Sequence, residues 1–479
     1  MAARFSMTPA IIPMRGKVVL EEAFQPPWEA GEGSALPDGG YGWIVVASIF
    51  LINAHSWGMT SSYSVFLAYY LSHNTYPNAT YLDYAFIGGL AFSMAFVTAP
   101  MVNFCVKHFG SKLTLCIGVV FQTAAFIGAS FATKIWQLFL SQGVALGMGI
   151  GFMFVATAGI IPQWFTKGRA LANGMASAGT GCGGLIYSLS TYAMIPKLGL
   201  SWTFRTLAII QFVVSCSCTL LLKDRNKQIG SSLASLDIKL LKRPEFLLLL
   251  GWAFFSLLGY VTMLFSLPNW ATTIGLDAGQ GTIVGAMANL GQAISRPIVG
   301  HFADKSGCLS VATAATALAG VLCFVFWIFI DNYAQAVTFA LMSGTVTGTF
   351  FTLVAPVAAR VVGLVELPAG LSVVWVSIVL PALFAEPIAL ELRLSTGRIY
   401  LHAQILAACM FFAASFCIWF VRAWKIKETR RSSEEKGLAA SSDTRVLPHE
   451  GAPESTSVRK SRWMAFVKQF TRLGHWQRI

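Results

Sequence analysis

The chain has 479 residues, of which 55% are hydrophobic and only 11% are charged, and its net charge is +13. Soluble domains carry about 25% charged residues, so this composition excludes an ordinary soluble protein. Apolar runs of about 18 or more residues recur along the chain, and each is long enough to cross a bilayer as a helix. Strand alternation of the kind that builds a membrane barrel is absent. We therefore predict an all-α membrane protein with many spans.

The basic residues indicate which partners to expect. In a soluble protein a net charge of +13 would favour nucleic acid. Here Lys and Arg lie mainly in short connectors and in the C-terminal tail, which is typical of membrane topology and of attraction to an anionic inner leaflet. We expect the lipid bilayer as a partner and no nucleic acid. The nine cysteines lack metal-ligand spacing, so we predict no metal site, no cofactor and no disulfide framework.

A polar tail that contains several prolines, residues 1–37, precedes the first apolar run and is predicted to be disordered and cytoplasmic. The motif DGGYGW follows it. Its carboxylate suits a helix N-terminus, its glycines permit a tight turn, and its tryptophan is a typical interfacial anchor. The residues concerned are Asp38, Gly39, Gly40, Gly42 and Trp43. We predict that this motif begins the first membrane helix.

Twelve apolar runs follow, and they divide into two sets of six. We predict an N-terminal six-helix bundle over 38–222, a cytoplasmic linker over 223–245 and a C-terminal six-helix bundle over 246–421. The Lys and Arg bias of the connectors predicts that the linker and both termini are cytoplasmic. The loop after the first helix is then external, which makes Asn78, in the sequon NAT, a glycosylation candidate.

The two halves share a short motif. The segment HFGSK, residues 108–112, follows the second helix, and HFADK, residues 301–305, follows the eighth. Because each segment connects the second and third helices of its half, the two halves are predicted to be related. Two six-helix bundles with a site at their interface are typical of a secondary transporter that works by alternating access.

Residues 422–479 are predicted to form a cytoplasmic tail. A basic cluster after Phe420 favours contact with lipid headgroups, and the Ser-, Glu- and Pro-rich segment 432–457 is predicted to be disordered. In 459–476, apolar residues recur at helical spacing between Lys and Arg residues. This pattern predicts a basic amphipathic helix on the inner membrane surface, with a disordered tail as the alternative.

Two motifs carry a resemblance to a known family. DGGYGW at 38–43 and WFTKGRALANGMASAG at 164–179 resemble the two signatures of the monocarboxylate transporter family, within the major facilitator superfamily. The resemblance spans 36–424 and is closest to the fungal branch. GHFADKSG at 300–307 is similar to the superfamily loop between the eighth and ninth helices. The positions concerned in the last two segments are Phe165, Lys167, Arg169, Gly174, Gly179, Asp304 and Lys305.

The resemblance implies twelve helices in a 6+6 arrangement and a transporter of a monocarboxylate or another small-molecule organic solute that bears a carboxylate. We expect a multi-pass protein of the plasma membrane, with the vacuolar membrane as the alternative, and no enzymatic activity. Export of a fungal secondary metabolite and a non-transporting membrane sensor are the open alternatives. A membrane enzyme built on an intramembrane histidine is disfavoured, because no paired acid, metal cluster or nucleophile motif accompanies it.

A charged side chain inside the membrane costs about 2.5–3.5 kcal/mol or more, so each one needs a reason. Arg296 lies in the eighth helix, and the resemblance implies that its guanidinium binds the substrate carboxylate as a bidentate fork. The alternative is an arginine that extends to the cytoplasmic surface. Neutral polar residues within the spans are further candidates for substrate binding, namely Asn53, Tyr63, Asn289 and Gln292.

Two positions depart from the family. The resemblance implies, for proton-coupled members, an acid one turn before the arginine and a lysine within the first helix, whereas this chain has Gln292 and Ser61 there. Both changes remove titratable groups and argue against proton symport of the animal type. His55 and Glu386 are the remaining candidates for proton coupling. Their alternatives are a hydrogen-bonded interior histidine and a carboxylate paired with Arg393.

Overall fold

The computed structural model describes residues 39–73, 75–77, 79–165, 168–225, 238–363, 366–394 and 396–442. All regular structure within these ranges is helical. Several predictions from the sequence lie outside the described residues, namely those for the tail 1–37, Asp38, Asn78, Lys167 and the amphipathic segment 459–476.

Nine helices of the described chain are long and apolar enough to cross a membrane, and two of these are bent into pairs of spans. Ala99–Ser130 is interrupted at Gly110, with φ 81°, and Arg169–Leu221 is interrupted at Gly199, with φ 76°. An unbroken helix of 53 residues would be about 80 Å long, far more than the hydrocarbon core of about 30 Å. The two glycines adopt left-handed backbone conformations that reverse the chain between neighbouring spans.

Bent in this way, the nine helices of the described chain supply eleven spans. The helix Ala278–Ser306, of 29 residues, is not among the nine and supplies the twelfth, and we label the spans α1 to α12. The first half consists of α1 (Tyr41–His55, Trp57–Ser61 and Tyr63–His73), α2 (81–109), α3 (111–130), α4 (Ile135–Ala158), α5 (169–198) and α6 (200–221). The second half consists of α7 (Pro244–Thr273), α8 (Ala278–Ser306), α9 (Cys308–Phe329), α10 (Tyr333–Val362), α11 (Leu367–Glu391) and α12 (Leu401–Ser442). Short 3₁₀ helices, Ile161–Gln163 and Ile238–Lys242, follow α4 and precede α7. The predicted fold class is confirmed.

The last helix continues beyond the end that hydropathy predicts. α12 extends to Ser442, into the part of the chain that the sequence assigned to the tail. Lys425 Nζ donates a 2.7 Å hydrogen bond to Glu428 one turn later, and the segment is rich in Lys, Glu and Ala. These residues favour helix without favouring the membrane, so an apolar pattern does not mark where such a helix ends.

Two pairs of helices join the halves, α5 with α8 and α2 with α11. Their backbones approach closely at glycine. A side chain at Gly174 would collide with the carbonyl of Arg296, and a Cβ at Gly89 would lie 2.6 Å from the carbonyl oxygen of Leu383. Small residues are what allows membrane helices to pack at this distance. Gly174, in the segment 164–179, and the small residues beside it in α5, which we call the small-residue stripe, therefore lie at the interface between the two halves.

Contacts between the halves lie on both sides of the bundle. Because the number of spans is even, α1 begins and α12 ends on the same side, which we call the terminal side. There, Asp304 at the end of α8 accepts hydrogen bonds from the backbone N–H groups of Ala170 and Leu171 at the start of α5, at 3.2 and 3.0 Å. Away from the terminal side, the rings of Tyr63 in α1 and Phe265 in α7 lie 6.3 Å apart.

Candidate functional site

A cavity lies between the two halves of the bundle. It is lined by α1, α2, α4 and α5 from the first half and by α7, α8, α10 and α11 from the second. Its aromatic lining consists of Trp57, Phe92, Phe154, Tyr260, Phe351 and Trp375. Its polar lining consists of Asn53, Ser61, Thr157, Asn173, Ser177, Thr180, Gln292 and Arg296. Three of the predicted substrate-binding residues, Arg296, Gln292 and Asn53, thus meet in one cavity.

Arg296 is the charged residue of this lining. Its side chain is only 2% exposed, so it does not extend to the surface. Nη1 donates to the carbonyl of Ser177 at 2.6 Å and to the hydroxyl of Thr180, and Nη2 donates to Gln292 Oε1 at 2.8 Å. Nε has no hydrogen-bond partner within the described chain. The lining contains no Asp or Glu, so neutral groups position this guanidinium without neutralising its charge.

Gln292 connects the arginine to the second half of the bundle. Its Oε1 accepts from Arg296 and also from the hydroxyl of Tyr260 in α7, at 3.2 Å. Two donors on one oxygen fix the orientation of the amide. The Nε2 group consequently has no partner among the described residues and remains able to donate. An acid at this position would instead pair with the arginine, so the glutamine preserves the positive charge of the cavity.

The first helix contributes an amide, an indole and a hydroxyl. Asn53 Nδ2 donates to the carbonyl of Ala176 in α5 at 3.0 Å, and Ser61 donates to the carbonyl of Trp57 at 3.3 Å. The Oδ1 of Asn53 and the Nε1 of Trp57 lack partners in the described structure. Ser61, where the resemblance implied a lysine, therefore lines the cavity as a neutral group. The residues of α1 that line the cavity are all uncharged.

The other predicted polar candidates lie outside the cavity lining. Asn289 donates to the carbonyl of Gly285 at 3.3 Å and packs against Gly184 of α5. Tyr63 donates to the carbonyl of Tyr84 at 2.7 Å. Both side chains use their polar groups for contacts within or between helices, so neither belongs to the site that we describe.

His55 also lies outside the cavity lining. Its Nδ1 lies 2.8 Å from the carbonyl of Leu51, and its ring contacts Tyr187 edge-on, with 5.6 Å between the ring centres. One ring nitrogen of His55 is therefore within hydrogen-bond distance of the backbone of its own helix, while the side chain is half-buried.

Glu386 is a buried carboxyl group, 5% exposed, between α11 and α7. It accepts a 3.0 Å hydrogen bond from the hydroxyl of Ser266 in α7. Among the described residues, no basic nitrogen lies within the 4.0 Å of an ion pair with it. The guanidinium of Arg393 lies instead over the rings of Tyr81 and Tyr400, at 5.6 and 5.9 Å. The ion pair with Arg393, one alternative from the sequence, is therefore not formed here.

The two family motifs touch each other on the terminal side. Gly40, with φ 58°, precedes α1 in a conformation that glycine adopts readily. A Cβ at Gly42 would lie 3.1 Å from the ring of Phe165, and the ring of Trp43 meets that of Phe165 edge-on at 5.1 Å. Arg169 donates to the carbonyl of Phe165 at 2.6 Å. These contacts fix the start of α1 against the start of α5.

The remaining motif residues have structural positions. Gly39 lies in the same turn as Gly40, with φ 143°. Gly179 lies against the carbonyl of Phe50 in α1, where a side chain would collide with the backbone. Lys305 is exposed in the last turn of α8, where the helix dipole favours a positive charge.

Several lining residues have no distinctive signal in the sequence. Trp57 and Thr180 lie in runs of apolar and small residues, where an aromatic ring or a hydroxyl usually serves packing or a bond to its own helix. Ser177 contributes its backbone carbonyl, which no side-chain pattern predicts. Only the spacing of Ser177 and Thr180 along one face of α5, beside the small-residue stripe, could have suggested them.

Comparison with known proteins gives consistent matches. The pattern of the Major Facilitator Superfamily matches residues 46–385. The Probable transporter MCH2 of Saccharomyces cerevisiae is 35% identical over 398 residues, which cover 82% of this chain and 84% of that protein. The Uncharacterized transporter ESBP6 of the same yeast is 34% identical over 406 residues, 82% of this chain and 60% of that protein. The Agnestins efflux protein AgnL12 of Paecilomyces divaricatus is 23% identical over 379 residues, which cover 79% of this chain and 87% of that protein.

Proposed function

Because this chain belongs to the major facilitator superfamily, a family of membrane transporters of organic solutes, we propose that it carries an organic carboxylate through the Arg296 cavity by alternating access. A monocarboxylate is the simplest such substrate. The observation that carries the proposal is the buried guanidinium of Arg296, which neutral residues hold at the interface of the two halves.

The electrostatics of the cavity favour an anion. A buried cation that lacks an acidic partner is costly, and a bound carboxylate offsets that cost. The Nε of Arg296 and the Nε2 of Gln292 are donors without partners in the described chain, and both groups line the cavity. Hydrogen bonds from charged donors to carboxylates are among the stronger ones in proteins. A bound carboxylate therefore supplies the missing acceptor for this pair.

The architecture suits alternating access. The cavity lies between the halves, and contacts that join the halves exist on the terminal side, at Asp304, and away from it, at Tyr63 and Phe265. Rocking of one half against the other would open one set of contacts while the other set stays closed. The small-residue interface of α5 and α8 permits close packing without interlocked side chains.

Glu386 is our candidate for proton coupling. It is a buried carboxyl group at the contact of α7 and α11, and the described structure provides it with a hydroxyl donor and no ion pair. A buried carboxyl group in a membrane bundle is typical of proton pathways. His55, the other candidate from the sequence, is held by its own helix and is the weaker choice.

Export of a secondary metabolite is the second candidate function. It is favoured by the relatives that are named as efflux proteins, those of agnestins and of fujikurins, at 23% and 25% identity. We propose the plasma membrane as the location. The Lys and Arg bias supports the further proposal that both termini are cytoplasmic. The vacuolar membrane is the alternative.

The experiment is uptake of radiolabelled carboxylates, from pyruvate to naphthoate, by proteoliposomes that contain the full chain. We expect saturable uptake that falls at least tenfold in Arg296→Ala and recovers partly in Arg296→Lys. Arg205→Ala is the matched control, because Arg205 lies in α6 against Phe131 and Trp202 and does not line the cavity. Uptake that is unchanged in Arg296→Ala would overturn the proposal.

A further inference from the structure

The aromatic residues of the cavity form one continuous surface. The ring of Trp375 meets that of Phe154 at 5.2 Å, Phe154 meets Trp57 at 5.5 Å, and Trp57 meets Phe351 at 6.3 Å. The guanidinium of Arg296 lies 5.8 Å from the ring of Phe351. We call these four rings the aromatic belt. The belt leads from the cation of the site to the indole of Trp375.

Two donors of the aromatic belt have no partner in the part of the chain that the structure describes. The indole nitrogens of Trp57 and Trp375 are buried, and neither forms a hydrogen bond within the described residues. Buried polar groups are nearly always hydrogen-bonded, so each such group requires an explanation. Both side chains line the cavity that contains Arg296. A ligand that carries an acceptor away from its carboxylate would satisfy one of these donors.

The length of the aromatic belt also favours a ligand larger than a short-chain acid. An acid of two or three carbons at Arg296 would leave the belt unoccupied. Its keto or hydroxyl oxygen, where it has one, would lie next to the carboxylate rather than along the belt. A substrate that also carries rings would cover the apolar part of this lining.

We propose that the preferred substrate is a planar aromatic carboxylate that bears a second hydrogen-bond acceptor. Its carboxylate binds Arg296 and Gln292, its rings lie along the aromatic belt, and its distal acceptor receives a hydrogen bond from Trp57 or Trp375. The inference rests on the proposed carboxylate transport and specifies the class of carboxylate. Aromatic ligands pack favourably against aromatic side chains in stacked or edge-on arrangements.

Binding of a matched pair of probes tests the inference. The probes are 6-methoxy-2-naphthoate, which carries a distal ether acceptor, and 6-methyl-2-naphthoate, which has a similar shape without it. Calorimetry on the purified full chain in lipid nanodiscs would measure their Kd values beside those of benzoate and pyruvate. We expect both naphthoates to bind at least about 100-fold more tightly than pyruvate, and the methoxy probe to exceed the methyl probe about fivefold, as one neutral hydrogen bond allows.

Two conservative variants show which tryptophan donates to the distal acceptor of the substrate. Trp57→Phe and Trp375→Phe keep a ring and remove the N–H group, so one of them should abolish the preference for the methoxy probe over the methyl probe. Trp202→Phe is the matched control, because Trp202 is 58% exposed on α6, away from the cavity. Its methoxy preference should equal that of the native chain.

The outcomes separate this inference from the transport proposal. Pyruvate binding that equals naphthoate binding and is lost in Arg296→Ala would overturn the aromatic substrate while leaving carboxylate transport in place. A methoxy preference that survives in both tryptophan variants would overturn the distal contact. Binding of every probe that is indifferent to Arg296→Ala would overturn both proposals.

Discussion

The carboxylate of Asp304 accepts a 3.0 Å hydrogen bond from the backbone N–H group of Leu171, across the boundary between the two halves. A second bond comes from the N–H group of Ala170 at 3.2 Å. The first N–H groups of a helix have no partner within the helix, and they favour a negative charge. In α5, Gly168 at the N-cap offers no side-chain bond. The cap of this helix is therefore supplied by α8, and it should be lost if the two halves separate on the terminal side.

Removing this cap should loosen the terminal side. We expect Asp304→Ala to raise the rate of amide hydrogen exchange in the peptide that begins α5 by about five- to tenfold, because a helix cap is worth about 1 kcal/mol. Mass spectrometry of exchange in nanodiscs measures it. Asp331→Ala is the matched control, since Asp331 is exposed at the other end of the bundle. Equal exchange in Asp304→Ala and the native chain would contradict the capping role.

A new acid beside the arginine should convert the cavity into a pH-sensitive site. In Gln292→Glu, the carboxylate would pair with Arg296 at neutral pH and compete with an anionic ligand. We expect carboxylate binding to fall at least tenfold at pH 7.5 and to recover as the pH is lowered and the new acid is protonated. The measurement is the Kd for naphthoate across pH. Gln292→Leu, which adds no charge, should weaken binding by the same factor at each pH. A Gln292→Glu profile parallel to that of Gln292→Leu would refute the prediction.

Replacing Glu386 by a neutral residue should abolish proton coupling while leaving substrate exchange in place. Glu386→Gln keeps the size of the side chain and cannot exchange a proton. We expect a pH gradient to lose its ability to drive uptake into proteoliposomes, while exchange of ligand between the two sides without a gradient stays within about twofold. The control is His55→Gln, which should retain gradient-driven uptake. If Glu386→Gln still concentrates substrate in response to the gradient, Glu386 is not the coupling group.

Because α5 packs closely on α8, a larger residue at their contact should destabilise the protein. In Gly174→Ala the new Cβ would collide with the backbone of Arg296 and Pro297, which cannot move aside as a side chain can. We expect Tm to fall by several degrees and transport to fall at least tenfold, since overpacking costs about 1–3 kcal/mol. Gly159→Ala is the control, because no neighbouring atom lies within 4 Å of the added Cβ. Equal melting curves for the two variants would show that the halves tolerate a wider separation.

Most of the fold could be predicted, because membrane spans depend mainly on length and hydropathy. The turns at Gly110 and Gly199 also follow from the sequence, since positive φ is nearly free only for glycine. The end of α12 could not be predicted. Past the membrane, helix propensity rather than hydropathy decides where the helix stops, and helix propensity is a weak signal.

The site could be predicted only in part. Its charged residue could be identified from the sequence, whereas its neutral residues could not. Arg296 could be identified because a charged residue inside a membrane span is costly and usually has a functional role. Tyr63 and Asn289 are equally polar, yet their helices direct them to bonds with backbone carbonyls. Helices that are apolar on all sides give no periodic signal of which face lines a cavity. For the same reason, Trp57 could not be distinguished from an ordinary packing residue.

The contact between Gly42 and the ring of Phe165 has a consequence for how such sequences diverge. The two signatures lie more than a hundred positions apart along the chain, yet they form the two sides of one packing contact. A larger residue at 42 should be tolerated only with a smaller one at 165, so the two positions should behave as mutual suppressors. The two family signatures would then be two parts of one structural contact and would change together.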